Sequence, residues 1–281
     1  MPSTRPSRSP RSSARRSRAA SSTASSTGCT KSFAPRSEPG VRYAVLSDIH
    51  GNLEALQAVL ADAAPRTDAV LSLGDLVGYG ADPLACVEIV AERAQKITCG
   101  NHDHAVAGLL DLDWFNPHAR AAAEWTRERL DDDHRAYLGG LPLVVEVGDA
   151  TLVHASPDRP DEWEYLVTAQ DGFDAFPAFA TRLCFIGHSH LPGAWSLGST
   201  GREHLSGLVD LEFARGRRYI VNVGSVGQPR DRDPRAAYAI WDVEEGTVAI
   251  RRVVYDLEAA RQKILGRGLP RFLADRLVRG S

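Results

Sequence analysis

Three times between Tyr43 and His104 the chain repeats one device: a short apolar run closes on a polar loop punctuated by glycine. The runs read "YAVLSDIHGN", "AVLSLGDLVGYG" and "KITCGNHDH". Between them, "LEALQAVLADAA" and "DPLACVEIVAERA" carry apolar residues at helical spacing. Strand, helix, strand, helix at this pitch is the βαβ unit. Parallel neighbours need a crossover of this kind, because the chain must be carried back before the next strand begins. The first half is therefore expected to build a largely parallel sheet.

The rhythm breaks after the third run. Residues 105–140 read as a helical insertion, with Asn116 as N-cap and Pro117 at the first helical position of "PHARAAAEWTRERL". "LVVEVGDATLV" reads as two strands joined at Gly148-Asp149. Further strands are expected in "TRLCFI", "GRRYIVN" and the alternating "AAYAIWDVEEGTVAIRRVVY", then a C-terminal helix from about Asp256. Alternation of that kind suits antiparallel pairing, so a second, more antiparallel sheet is expected.

Charge divides the chain in two. Residues 1–40 are mostly Ser, Arg, Pro, Thr and Ala and carry a net +7, which leaves −10 on residues 41–281. The first segment has too little apolar surface to offset its ordering entropy and is expected to be a disordered tail. An organellar transit peptide or a mis-assigned start codon would read the same way. Residues 41–281 are expected to form the one folded domain. Its acidic balance argues against stable nucleic-acid binding. No apolar run reaches the roughly 20 residues of a membrane-spanning helix. The four scattered cysteines suit reduced thiols in a cytoplasmic protein.

The chemistry-bearing residues fall at strand ends. Asp48 and His50 follow the first run, Asp75 the second, and Asn101 and His102 the third; His154 follows "ATLV", and His188 and His190 follow "CFI". Ligands of open α/β sheets sit outside the carboxyl ends of strands, so these residues are expected on one rim. If the segments stay extended, residues i and i+2 point the same way, and Asp48/His50 and His188/His190 each aim two groups into one cavity. Carboxylate, imidazole and amide oxygen without thiolate suit Mn²⁺, Fe, Zn²⁺, Co²⁺ or Ni²⁺. The ligands outnumber the needs of one ion; two divalent transition-metal ions sharing a carboxylate accommodate them, Mn²⁺ being the leading choice.

The ordered set "SDIH", "LGDLVGYG", "CGNHDH", "VHASP" and "GHSH" resembles the calcineurin-like metallophosphoesterase superfamily. "VHASP…EWEYL" and "VNVGSVGQPRDRDPRAAYAIWD" look like its bacterial branch of predicted phosphodiesterases and diadenosine-tetraphosphatase-related proteins. The resemblance implies a four-layer α/β/β/α sandwich with two mixed sheets. It implies Asp48, His50 and His190 on a first metal, Asn101, His154 and His188 on a second, and Asp75 bridging. It further implies attack on phosphorus by a hydroxide held between the metals. His102 would protonate the leaving group, and Asp103 would orient its ring or simply cap the turn. The substrate expected is a small phosphorylated molecule of nucleotide type, joined by phosphodiester or phosphoanhydride bonds.

Other residues leave two readings open. Arg230 can clamp a substrate phosphate or pair with Asp231 or Asp233. Trp114 and Phe115 can stack on a nucleobase or pack the insertion. His104 reads as a rim residue, and His118, His134 and His204 carry no expected chemistry. "GDLVGYG" departs from the "GDxVDRG" of the superfamily's Ser/Thr phosphatases, with Tyr79 and Gly80 near the position of their phosphate-gripping arginine. That disfavours a phosphoprotein substrate. A phosphomonoesterase and a catalytically idle scaffold of the same fold are the competing readings, and the oligomeric state is left open.

Overall fold

The computed structural model of the protein describes residues 40–199, 201–207 and 210–281. The expected tail, apart from Gly40, lies outside the described residues. The elements are β1 (Arg42–Leu46), α1 (Leu53–Ala63), β2 (Ala69–Ser72), α2 (Pro83–Arg93), β3 (Ala94–Ile97), α3 (Asn101–Ala107), α4 (Pro117–Arg127), α5 (Asp132–Gly139), β4 (Val144–Val147), β5 (Ala150–Val153) and α6 (Ala169–Ala175). They continue with β6 (Leu183–Ile186), β7 (Gly193–Gly198), β8 (Gly201–Ser206), β9 (Asp210–Glu212), β10 (Arg217–Asn222), β11 (Ala236–Asp242), β12 (Thr247–Val253), α7 (Leu257–Gly266) and α8 (Arg271–Arg279).

Period-two alternation builds four layers. On β1, Tyr43 and Val45 face the space between the sheets, while Ala44 and Leu46 face α1 and α2. On β6, Leu183 and Phe185 point between the sheets, while Cys184 and Ile186 meet Phe176 and Phe179 beyond α6. The order is thus helices, sheet, sheet, helix, as the resemblance implies.

Two six-stranded sheets form the middle, in the orders β3-β2-β1-β11-β12-β9 and β4-β5-β6-β10-β7-β8. β1, β2 and β3 are parallel, as are β5, β6 and β10. The C-terminal hairpin β11–β12 corrects one expectation. It joins the first sheet, antiparallel to β1, rather than the second. Both sheets are therefore mixed. Alternating sequence reports that a strand pairs antiparallel, but not with which neighbour.

Two local readings also change. "NHDH" is not loop: it opens α3, with Gly100 as N-cap, and so lengthens the helical insertion backward to Asn101. The single expected C-terminal helix is two, because Gly268 and Pro270 interrupt it. Asn116 and Pro117 start α4 as expected, the Asn116 side chain accepting from the His118 and Ala119 N–H groups. Among the described residues no helix is long and apolar enough to cross a membrane.

Phe185 is fully buried between the sheets and among the largest such side chains. Phe185→Ala is expected to cost about 3–5 kcal/mol, read as a lowered denaturant midpoint at unchanged slope.

Candidate metal centre

Six parallel strands, three from each sheet, send their C-terminal loops to one end of the molecule. The loops after β1, β2, β3, β5 and β6 bring Asp48, His50, Asp75, Asn101, His102, His154, His188 and His190 together, all but Asn101 buried. The loop after β10 closes the site with Arg230.

The extended-segment argument for the two H-x-H-like pairs fails, although the residues do converge. Asp48, His50, Asp75, His188 and His190 all have positive φ, between 51° and 63°. A non-glycine residue there costs about 1–2 kcal/mol, and five together persist only where the surroundings enforce them. Reversing the chain at each ligand aims successive side chains inward within very short loops. The same crowding requires glycine beside them. A Cβ on Gly187 would lie 1.9 Å from Ser47 Oγ and 2.5 Å from Asp48 Oδ2.

Two triads share the site. In one, His190 Nε2 lies 3.1 Å from both His50 Nε2 and Asp48 Oδ1. In the other, His154 Nε2 is 3.1 Å from His188 Nδ1 and 3.3 Å from Asp75 Oδ2. Asp75 Oδ2 also lies 3.6 Å from His50 Nε2, which puts this carboxylate between the two groups.

Three rings are oriented from behind. The Nδ1 atoms of His50, His154 and His190 face the carbonyls of Val77, Leu73 and Gln228 at 3.0, 2.9 and 2.6 Å. In the neutral rings, donation to those carbonyls fixes the tautomer that leaves Nε2 as an electron-pair donor. Asp48 Oδ1, Asn101 Oδ1 and His188 Nε2 are buried without hydrogen-bond partners. Buried acceptors this close together are normally satisfied, so an inward-facing set of them fits divalent cations.

Electrostatics agree. Burial alone would raise Asp75 and Asp48, but the imidazoles of His154 and His190 beside them hold both below the usual carboxylate range. Burial pulls His188 down to about 3 and His102 to about 4, and also lowers His50 and His190, so these rings are neutral. His154 differs: burial lowers it, yet the Asp75 carboxylate outweighs that and raises it to about 9.

Of the two readings for Asp103, the structure shows the cap and no hydrogen bond to His102. The Asp103 carboxylate accepts from the Leu76, Val77 and Gly100 N–H groups, capping α3 and tying it to the loop after β2. Burial and the Asp75 charge push it up to about 7, against the pull of those donors. The partner of His102 is Tyr79, whose hydroxyl lies 3.1 Å from Nε2. Sequence reasoning noted Tyr79 only as a departure from a motif. Its positive φ of 55° and burial show a side chain held in place.

Arg230 does not pair with its neighbours. Asp231 binds Arg252 and Asp233 binds Arg235, while Arg230 Nη2 reaches the Tyr79 hydroxyl at 3.4 Å. It lines a cavity of about 520 Å³ over the two triads, with Trp114, Phe115, Trp163 and Tyr165 among the other walls. Phe115 packs edge-on against His102, whereas Trp114 is 84% exposed and touches no core. Tyr165 and Trp163, which sequence reasoning passed over, stack on His188 and flank His154. His104 meets Trp163 at the rim.

Residues 41–246 match the calcineurin-like phosphoesterase superfamily domain. A protein of Methanocaldococcus jannaschii described as uncharacterized is 39% identical over 242 residues, covering 84% of this chain and 97% of its own. A symmetrical bis(5'-nucleosyl)-tetraphosphatase of Erwinia tasmaniensis is 29% identical over 189 residues, 60% of this chain and 63% of that relative. The crystal structure of a metallophosphoesterase from Sphaerobacter thermophilus is 43% identical with a TM-score of 0.76, covering 86% of this chain and 100% of that one.

Because His154 is held protonated up to about pH 9, a cation at its Nε2 must displace that proton. Metal affinity is therefore expected to rise with pH from 6 toward 9. Calorimetry in buffers of different ionisation enthalpy should find roughly one proton released per chain at neutral pH. Gly187→Ala is expected to weaken metal binding by about tenfold or more, measured by the same titration, through displacement of Asp48.

Proposed function

This chain belongs to the calcineurin-like phosphoesterase superfamily, a family of metal-dependent phosphoric ester hydrolases, and on that footing we propose that it cleaves phosphodiester or phosphoanhydride bonds of small nucleotide-type molecules. One observation carries the reading: the Asp48–His50–His190 and Asp75–His154–His188 triads meet where Asp75 lies 3.6 Å from His50, with orphaned acceptors turned inward beneath a cavity lined by Arg230 and aromatic rings. Asp48, His50 and His190 would hold one cation, Asn101, His154 and His188 the other, with Asp75 between them. Mn²⁺ leads among cations suited to this donor set. When bound, the pair supplies Lewis-acid neutralisation of the phosphoryl oxygens and acidifies a water.

The chain's own residues do the rest. Arg230 reaches into the cavity without a carboxylate partner among the described residues and grips phosphoryl oxygens. His102 stands at the cavity wall, and in the form protonated by the nearby phosphoryl charge of bound substrate it passes that proton to the leaving oxygen. Tyr79, hydrogen-bonded to His102 and next to Arg230, keeps the two at a fixed separation. The aromatic walls exclude water and suit an aryl or nucleobase group. The name of the Erwinia relative supports a nucleoside-polyphosphate substrate for this chain.

Residues 41–281 act as a single catalytic domain in this reading, with no membrane or nucleic-acid partner. Its buried thiols, Cys86, Cys99 and Cys184, support a reducing, cytoplasmic setting.

Loading with Mn²⁺, Co²⁺ or Ni²⁺ is expected to give hydrolysis of bis(p-nitrophenyl) phosphate, and Asp75→Asn to lower kcat by about a hundredfold or more. No turnover with any of the three, or turnover undiminished in the variant, would refute the assignment. Tyr79→Phe is expected to lower kcat by about tenfold with little change in KM, and more with poorer leaving groups, in steady-state kinetics.

A further inference from the structure

Arg276 and Arg279, in the last turn of α8, line a groove with Asn116, Pro117, His118 and Phe272. Asn116 also lines the cavity over the metal ligands, so groove and cavity meet at that residue. The two arginines thus extend outward from Arg230. Among the described residues none of the three arginines pairs with an Asp or Glu side chain, and Arg276 Nε donates to the Ser281 carbonyl at the same groove. The nearby carboxylates are engaged elsewhere: Asp231 with Arg252, Asp233 with Arg235, and Asp275 with Arg271. Arg230 Nε is buried and has no hydrogen-bond partner.

The three cations are held in this order by backbone. The Arg232 N–H donates to the Gly280 carbonyl at 2.7 Å, which fastens the end of α8 to the Arg230 loop. Gly280 sits at φ 60°, and a Cβ there would come within 2.7 Å of the Asp233 nitrogen, so the junction is tight. The N-terminus of α4, at Pro117, opens into the same groove and adds the positive end of its dipole. Burial and the charge of Arg230 both lower Arg276, which marks the two guanidinium groups as mutually repelling.

Basic residues in a helix's last turn complement its dipole, and that explains part of the charge on α8. It explains neither the unpaired Arg230 nor the facing α4 N-terminus. It also leaves unexplained why a domain of net charge −10 keeps three arginines without an Asp or Glu partner beside its candidate metal site. A single phosphodiester has one phosphoryl group and engages one guanidinium well; a chain of phosphoryl groups engages several.

We infer that Arg230, Arg276 and Arg279 form an anion track that holds the outer phosphoryl groups of an anhydride-linked phosphate chain, the inner group lying over Asp75. The ligand class is a nucleoside or dinucleoside polyphosphate. This rests on the phosphoesterase reading above and narrows its substrate.

The test uses the Mn²⁺-loaded full chain at fixed free Mn²⁺, with inorganic tripolyphosphate and inorganic phosphate as competitive inhibitors of bis(p-nitrophenyl) phosphate hydrolysis. In the double variant R276Q/R279Q, the inhibition constant for tripolyphosphate is expected to rise on the order of tenfold relative to that for phosphate. Equal inhibition of wild type and variant by tripolyphosphate would overturn the track. So would equal weakening for both anions, which would mean a general loss of positive potential. Thermal melting shows whether the variant is folded; if it is not, R279Q alone gives the same comparison. Should the wild type hydrolyse nothing, the phosphoesterase reading falls, and calorimetric binding of tripolyphosphate to wild type and variant decides the track separately.

Discussion

Two buried carboxylates, Asp48 and Asp75, divide their oxygens between backbone and imidazole, and the site depends on that division. Asp48 Oδ2 accepts from the His188 N–H at 3.0 Å and Asp75 Oδ1 from the His102 N–H at 2.8 Å. The other oxygen of each faces the histidines. Each carboxylate therefore fixes a loop from another strand while presenting a ligand atom. Asp103 repeats the pattern with backbone alone, spanning the loops after β2 and β3. Removing either Asp would free a loop and leave buried donors unpaired, which is costlier than losing one ligand.

This interlocking also accounts for the strained backbone. Hydrogen bonds from Asp48, His50 and Gly51 to carbonyls of residues 74–76 continue the β1–β2 ladder beyond the strands. Val226 and Gly227 brace the other side of the Asp48 loop through the Ser47 and Asp48 carbonyls. Within that double brace Asp48, His50 and Asp75 are held left-handed, and Asp48 Oδ2 ties the His188 N–H to it. Rigidity of this kind suits the metal-binding and charge-neutralising role proposed for the site.

The cavity above the ligands is built by different logic. Its walls come from segments outside the βαβ rhythm: the turn at Leu112–Trp114, the stretch around Trp163 and Tyr165, and the loop bearing Arg230. In the proposed reading the chemistry belongs to the strand ends and the choice of substrate to these segments. Tyr79 joins the two, since it lies in the loop after β2 yet touches both His102 and Arg230.

The sequence by itself determined the βαβ start and the residues that meet at one rim, while the four-layer plan came through the resemblance of its motifs to a known family. The first two follow from hydrophobic period and from polar residues placed at strand ends, both of which are local signals. Its reason for the convergence of Asp48 with His50 and of His188 with His190 was wrong, since left-handed turns, not extended ones, aim them. Only the tertiary structure decided which sheet takes the β11–β12 hairpin, that Asp103 serves backbone while Tyr79 meets His102, and that Arg230 stands unpaired. Each depends on which distant groups compete for the same hydrogen bond or charge. Asp231 and Asp233 were near enough in sequence to claim Arg230, but Arg252, brought alongside by β12, took Asp231, and Arg235, two residues on, took Asp233.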